Sequence, residues 1–197
     1  MNKNTRAFIV GNGKSREQVD LSSLRPFGTI YGCNALYRRF EPDFLIAIDP
    51  MMIKEIKKSN FPKEKFIVPP SAEHYEPAEC NRYQPRSNAG MNAILEAIKH
   101  GKKDLLCFGF DFIWTDKNKS ISNIFDGSPN YAGDMKASYT DNEGRIRYLT
   151  WIATKYKDVK IWLVYPEAYF DSLEFRTIPA SNVNGLTFGK LREILNQ

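Results

Sequence analysis

A chain of 197 residues with 42% hydrophobic and 13% aromatic residues is long and apolar enough to bury one core, which excludes a disordered chain and gives a single domain over residues 1–197. The formal charge of +5 suits an anionic partner such as a nucleotide, a charged glycan or a nucleic acid, without choosing among them. No run approaches the ~18 apolar residues of a membrane span, and the polar residues 1–6 lack the apolar stretch of a signal peptide, so the expectation is a cytoplasmic protein with no membrane span.

In chain order, "RAFIV" (6–10) is a buried strand that runs into glycine. Ser15 followed by Gln18 offers a capping box for a short helix. "GTIYGC" (28–33), "DFLIAI" (43–48) and "EKFIVP" (64–69) are further strands, and "PMMIKEIKKS" (50–59) is an amphipathic helix with proline at its first position. Residues 69–86 are proline-rich and irregular. "SNAGMNAILEAIKHG" (87–101) is a helix that Ser87 or Asn88 can cap and Gly101 ends. "DLLCFGF" (104–110) and "VKIWLVYP" (159–166) complete the strands. Between them, residues 114–142 are polar and rich in Gly and Asn, which fits a functional lid. Ile146, Leu149, Ile152, Ala153 and Tyr156 form one helical face, and "LTFGKLREILNQ" closes the chain as a helix.

Alternating helices and nearly continuous apolar strands predict an α/β fold, a Rossmann-like, mostly parallel sheet with helices on both faces and the lid as an insertion. Ligands of such sheets bind at the carboxyl ends of the strands, near a topological switch point. The odd cysteines Cys33, Cys80 and Cys107 lack metal-type spacing, and Cys33 and Cys107 read as buried free thiols.

The strand-end loops carry the chemistry. "GNGKS" (11–15) contains Gly-Lys-Ser, but the phosphate-wrapping loop of nucleotide hydrolases needs a glycine where Phe8 stands. The dinucleotide fingerprint fails too, because its third glycine falls on Arg16. There remains a Gly11-Asn12-Gly13 turn before a helix start, suited to an anion or serving only as a structural corner. Asn34 projects from the second strand end as a ligand amide or a turn asparagine. Asp49 accepts from a ribose hydroxyl or caps the helix that Pro50 begins. Arg86, Ser87 and Asn88 stand at a helix N-terminus, where dipole and guanidinium favour a negative group; an ordinary cap is the alternative. Asp111 binds a ligand, orients a loop, takes a proton, or pairs with a backbone N–H. His74 and His100 read as surface and structural residues, so neither a Ser-His-Asp triad nor a metal site is expected.

Together "GNGKS", "GCN", "RSNAG" and "GFDF" resemble the bacterial lipooligosaccharide sialyltransferases of glycosyltransferase family 42, and the related 6-hydroxymethylpterin diphosphokinase-like domains. The family has a Gly-Asn-Gly-Pro-Ser turn, here with Lys14 for proline, and a Cys-Asn matched by Cys33 and Asn34. Its arginine four residues before a helix glycine is matched by Arg86 and Gly90. Its next glycine and its Gly-x-Asp-Phe are matched by Gly101 and by Gly109, Asp111 and Phe112, without a gap. The resemblance implies a Rossmann-like domain that binds CMP-sialic acid and transfers the sugar with inversion and without metal. It implies that Asn12 and Asn34 contact the nucleotide, that Arg86 lies near the donor sugar or acceptor, and that Tyr131 and Tyr139 serve the phosphate. Besides Lys14, Ala89 replaces a serine, Ile113 replaces a tyrosine, and no histidine follows His100 where the family's base belongs, near residues 138–142.

The expected function is therefore metal-independent glycosyl transfer from a nucleotide-activated sugar, a CMP-sugar by the resemblance, to a hydroxyl of a glycan or other acceptor, with no cofactor. Gly11, Asn12, Gly13, Asn34, Asp49, Ser87, Asn88, Asp111, Tyr131 and Tyr139 are the binding candidates. Arg86 would stabilise the leaving phosphate, and Asp134 or Asp141 would be the base. The alternatives are a nucleotide-binding module without chemistry and a magnesium-dependent diphosphokinase-like enzyme. A nucleic-acid acceptor and an oligomer stay open.

Overall fold

A computed structural model describes residues 2–69, 87–115, 123–132, 139–172 and 174–195. In chain order the strands are β1 (Arg6–Val10), β2 (Thr29–Cys33), β3 (Phe44–Ile46), β4 (Phe66–Ile67), β5 (Asp104–Phe108), β6 (Trp114–Thr115), β7 (Lys160–Tyr165), β8 (Glu174–Phe175) and β9 (Val183–Thr187). The α-helices are α1 (Pro50–Lys58), α2 (Ala89–Lys99), α3 (Tyr139–Lys155), α4 (Glu167–Ser172) and α5 (Phe188–Leu195).

Seven strands form one sheet in the order β4-β3-β2-β1-β5-β7-β9, and every neighbouring pair is parallel. The chain winds outward from β1 through β2, β3 and β4, then returns to the other side of β1 with β5. The order therefore reverses between β1 and β5, which makes their carboxyl ends the switch point. β1 lies at the centre and all five of its residues are buried. Its side chains alternate between two cores, as strand geometry requires. Ala7 and Ile9 pack with Cys107, α2 and α3 on one face. Phe8 and Val10 pack with Phe108, α1 and α5 on the other. The apolar face expected for α3 is the buried one, with Ile146, Leu149, Ile152 and Ala153 all under cover.

α1 starts where Pro50 places it, with the Asp49 carboxylate accepting from the Met51 and Met52 amides at 2.8 and 3.4 Å. At α2 the cap is Asn88, whose Oδ1 accepts from Met91 N–H at 3.0 Å. α2 ends at a left-handed Gly101 (φ 76°) whose amide donates to Ile98.

The structure departs from the sequence-based reading at three places. Ser15 caps no α-helix: residues 14–16 form one 3-10 turn with Gly13 before it, and the serine bonds elsewhere. Residues 183–187, expected in part as the start of the last helix, are the edge strand β9. The segment expected as a lid over 114–142 is bounded more narrowly, because Trp114 and Thr115 pair antiparallel with Phe175 and Glu174, and α3 begins at Tyr139. Among the described residues no helix is long and apolar enough to cross a membrane.

Candidate functional site

Past the ends of β1 and β5 the two loops stay stitched together. Gly11 N–H donates to the Phe108 carbonyl at 2.8 Å and Gly13 N–H to Gly109 at 3.1 Å. Ser15 then donates its amide to Asp111 Oδ2 at 3.0 Å and its hydroxyl to Asp111 Oδ1. The sequence allows this corner to be either an anion site or a structural turn; the amides of Gly11, Gly13 and Ser15 serve the chain itself, as the structural alternative requires. Such close approach requires glycine, since a Cβ on Gly11 would lie 2.8 Å from the Gly109 carbonyl oxygen and one on Gly13 2.7 Å from it. Asp111 is thus a buried carboxylate engaged by Ser15. Burial pushes its pKa up, and the Ser15 bonds and the Arg16 charge pull the other way.

Beside this stitch lies a polar cluster at the ends of β1 and β2. Asn12, 8% exposed, donates from Nδ2 to the Cys33 carbonyl at 3.1 Å and to the Tyr131 hydroxyl at 3.4 Å. Its Oδ1 accepts from Arg16 Nη2 at 3.3 Å. Arg16 is also buried and donates from Nε to the Gly11 carbonyl. Asn34 opens the turn after β2 in the left-handed region (φ 50°) and brings its side chain beside the Tyr131 hydroxyl; its Oδ1 is buried without a hydrogen-bond partner among the described residues. Burial raises the Tyr131 phenol, while Asn12, the Ala35 backbone and Asn34 hold it down.

Tyr131 reaches this place on a strap, residues 123–132, docked across the strand ends. Ile124 N–H donates to the Asn12 carbonyl at 2.8 Å, and Asn123 forms a bridge with Gly13. Arg38 anchors the other end: Nε and Nη2 hold Glu55 at 2.8 and 2.7 Å, Nη1 holds Ser128 Oγ at 2.8 Å, and Nη2 holds the Pro129 carbonyl at 2.7 Å. Asn130 joins through Glu55 Oε2, and the Arg39 guanidinium lies 5.2 Å over the Phe125 ring. Burial pushes Glu55 up, but hydrogen bonds from Tyr37, Arg38 and Asn130 outweigh it and leave the carboxyl below its usual value.

On the opposite face, α2 points its N-terminus at the same edge of the sheet. Gly90 abuts Phe110, which follows β5, closely enough that a Cβ would lie 2.8 Å from the ring. Ser87 Oγ accepts from Asn92 Nδ2 at 2.8 Å and Asn88 caps the helix, so both brace the helix start. The structure thus gathers Gly11, Asn12, Gly13, Asn34, Asp111 and Tyr131, with Ser87 and Asn88 on the same edge. Asp49 stands apart as the exposed cap of α1. Tyr139 opens α3, and Asp141 sits half-buried in its first turn. Arg86 and Asp134 lie outside the described residues, as do His74 and Cys80. Cys33 and Cys107 are free and buried, and burial pushes the Cys33 thiol up to about 12. Among the described residues no group of three His, Cys, Asp or Glu could hold a metal ion.

Three parts of the site escaped the sequence reading: Arg16, seen there only as a missing glycine, the Ser15–Asp111 pair, and the Arg38–Glu55 anchor. The one available signal was a run of charged and aromatic residues, "NALYRRF", directly after an apolar strand.

Comparison with protein-family models finds no match, and comparison with curated protein sequences finds none either. Among solved structures, the chain is similar to an X-ray structure of a point mutant of the alpha-2,3/8-sialyltransferase CstII, at 16% sequence identity and a TM-score of 0.44, covering 90% of this chain and 88% of that one.

Proposed function

We propose that the chain transfers a sugar from a nucleotide-activated donor, a CMP-sugar, to an acceptor hydroxyl, without a metal ion. The observation that carries the proposal is the convergence of Asn12, Asn34 and the α2 N-terminus on one carboxyl edge of a parallel sheet, beside its switch point. Those residues stand in the motifs that resemble the family 42 transferases. In this reading Asn34 and Tyr131 meet the nucleotide, Asn12 braces them, and the positive N-terminal end of α2, together with Arg86, serves the phosphate.

The reaction is a displacement at the anomeric carbon. The acceptor oxygen forms the new bond, the bond to the phosphate oxygen breaks, and the nucleoside monophosphate leaves with the electron pair. Arg86 and the helix start stabilise the charge gathering on that phosphate, where fixed dipoles act most strongly. Asp134 or Asp141 takes the acceptor proton; a carboxylate is a weaker base than imidazole, and withdrawal from water strengthens it.

A thermal-shift screen against CMP, UMP, GDP, ADP and their sugars, followed by donor turnover with EDTA, tests the proposal. Stabilisation by cytidine nucleotides with EDTA-resistant release of CMP is expected. Tight nucleotide binding without hydrolysis or transfer would replace the enzyme by a binding module, and magnesium-dependent turnover would favour the diphosphokinase-like alternative. Arg86→Ala should lower turnover more than donor affinity; equal losses in both would reduce Arg86 to a binding role.

A further inference from the structure

We propose that Arg16 is the phosphate-reading residue of this edge, its buried guanidinium pairing with a phosphoryl group of the bound ligand. The inference rests on the nucleotide reading above and adds a residue to it. Arg16 is 6% exposed, yet no carboxylate pairs with it among the described residues. A guanidinium has five N–H donors in a flat fork. Here Nε serves the Gly11 carbonyl and one Nη2 hydrogen serves Asn12 Oδ1, and Nη1 has no partner among the described residues.

Two carboxylates act on its charge without forming an ion pair with it: Asp111, both of whose oxygens are engaged by Ser15, and the neighbouring Glu17. A second cation, Arg39, stands near enough to repel it. Burial lowers the group to about 10, which keeps it charged at neutral pH. A buried cation without a counter-ion is costly, and chains ordinarily resolve it with an acid. Here the free donors of the Arg16 fork and a second guanidinium, Arg39, stand together at the strand ends, an arrangement that an incoming anion completes. Two N–H groups of one guanidinium match two phosphate oxygens, which a lysine ammonium cannot reproduce. The two bonds already made orient the fork rather than satisfy it.

The experiment compares wild type, Arg16→Met and Arg16→Lys by titration calorimetry with cytidine, CMP and inorganic phosphate. Wild type should bind CMP roughly 10- to 100-fold more tightly than cytidine, the value of one charge-assisted pair. Arg16→Met should bring the two affinities together while cytidine affinity stays within about twofold, and Arg16→Lys should keep part of the preference. An unchanged CMP-to-cytidine ratio in Arg16→Met would make Arg16 a clamp for the Gly11 corner and overturn the proposal. If Arg16→Met does not fold, the Arg16→Lys ratio decides: equality with wild type overturns it. Phosphate binding that Arg16→Met abolishes, without nucleotide binding in wild type, would sink the nucleotide reading and leave the anion site standing. No binding of any of the three would sink both.

Discussion

Replacing Gly13 by alanine tests whether the β1–β5 stitch holds the site together. The new Cβ would sit 2.5 Å from Asp111 Cγ and 2.7 Å from the Gly109 carbonyl oxygen. Gly109 is fixed, because its left-handed φ of 67° and its bond from Gly13 N–H leave it no retreat. The carboxylate must therefore withdraw by roughly 1 Å to reach van der Waals distance. That movement breaks both bonds from Ser15, each a hydrogen bond to a charged group, for a total of about 3–5 kcal/mol. In a chain of this size the melting temperature should fall by roughly 6–20 °C. The assay is thermal and urea unfolding of wild type, Gly13→Ala, Asp111→Ala and the double variant. Removing the carboxylate removes one of the two obstacles, and the Ser15 bonds can be lost only once, so the double variant should be more stable than the sum of the two losses while the Gly109 contact still costs it stability. Additive losses, or a Gly13→Ala melt within about 2 °C of wild type, would refute the reasoning.

Two further perturbations read charge. Burial lifts Asp111 above the unfolded carboxylate value of 3.8, so the folded chain gains stability as pH falls from that raised value towards 3.8. Asp111→Asn removes this titration, and its unfolding free energy relative to wild type should decline over that window; a difference independent of pH would show that Asp111 is not held up by burial. Glu55 is the opposite case, with a folded pKa below the unfolded 4.5, so its contribution is present above 4.5 and fades as pH falls through the folded value. Glu55→Gln at neutral pH should loosen the strap by about 1–2 kcal/mol, seen as roughly 5- to 30-fold faster hydrogen exchange at Ile124 and Tyr131. Unchanged exchange there would mean that Arg38 holds Ser128 and Pro129 without the carboxylate.

What was legible in the sequence was what neighbouring residues decide among themselves. "RAFIV" and "DLLCF" read as buried strands because every residue is apolar or ends the run, and they are the two strands at the switch point. Asp49 before Pro50 carried the α1 cap as one of two alternatives, and the cap is what the structure contains. β9 was missed because Asn184 and Gly185 interrupt an edge strand whose middle faces solvent. Ser15 was misread because a local signal, glutamine three residues on, competed with a partner 96 residues away. Short-range spacing contains nothing about Asp111, and the same holds for Arg16, which is buried with no carboxylate paired to it among the described residues. The edge itself could be located from strand ends, but the allocation of its donors depends on contacts between distant loops.

That allocation gives Asn34 a decisive variant. Because the amides at Gly11, Gly13 and Ser15 are taken, recognition at the β1 corner draws on side chains, and Asn34 Oδ1 is a buried acceptor there without a partner among the described residues. Asn34 also occupies φ 50°, where a side chain is strained and glycine is not. Asn34→Gly therefore keeps the backbone and removes only the amide, whereas Asn34→Ala loses the amide and adds about 1–2 kcal/mol of left-handed strain. If the amide reads the ligand, both variants should lose CMP affinity alike, and only the alanine variant should melt appreciably lower. Glycine and alanine variants that bind CMP as wild type does, while the alanine melts lower, would make Asn34 a turn residue and nothing more. Loss of stability in the glycine variant would place the value of the side chain in the fold, through its position beside Tyr131.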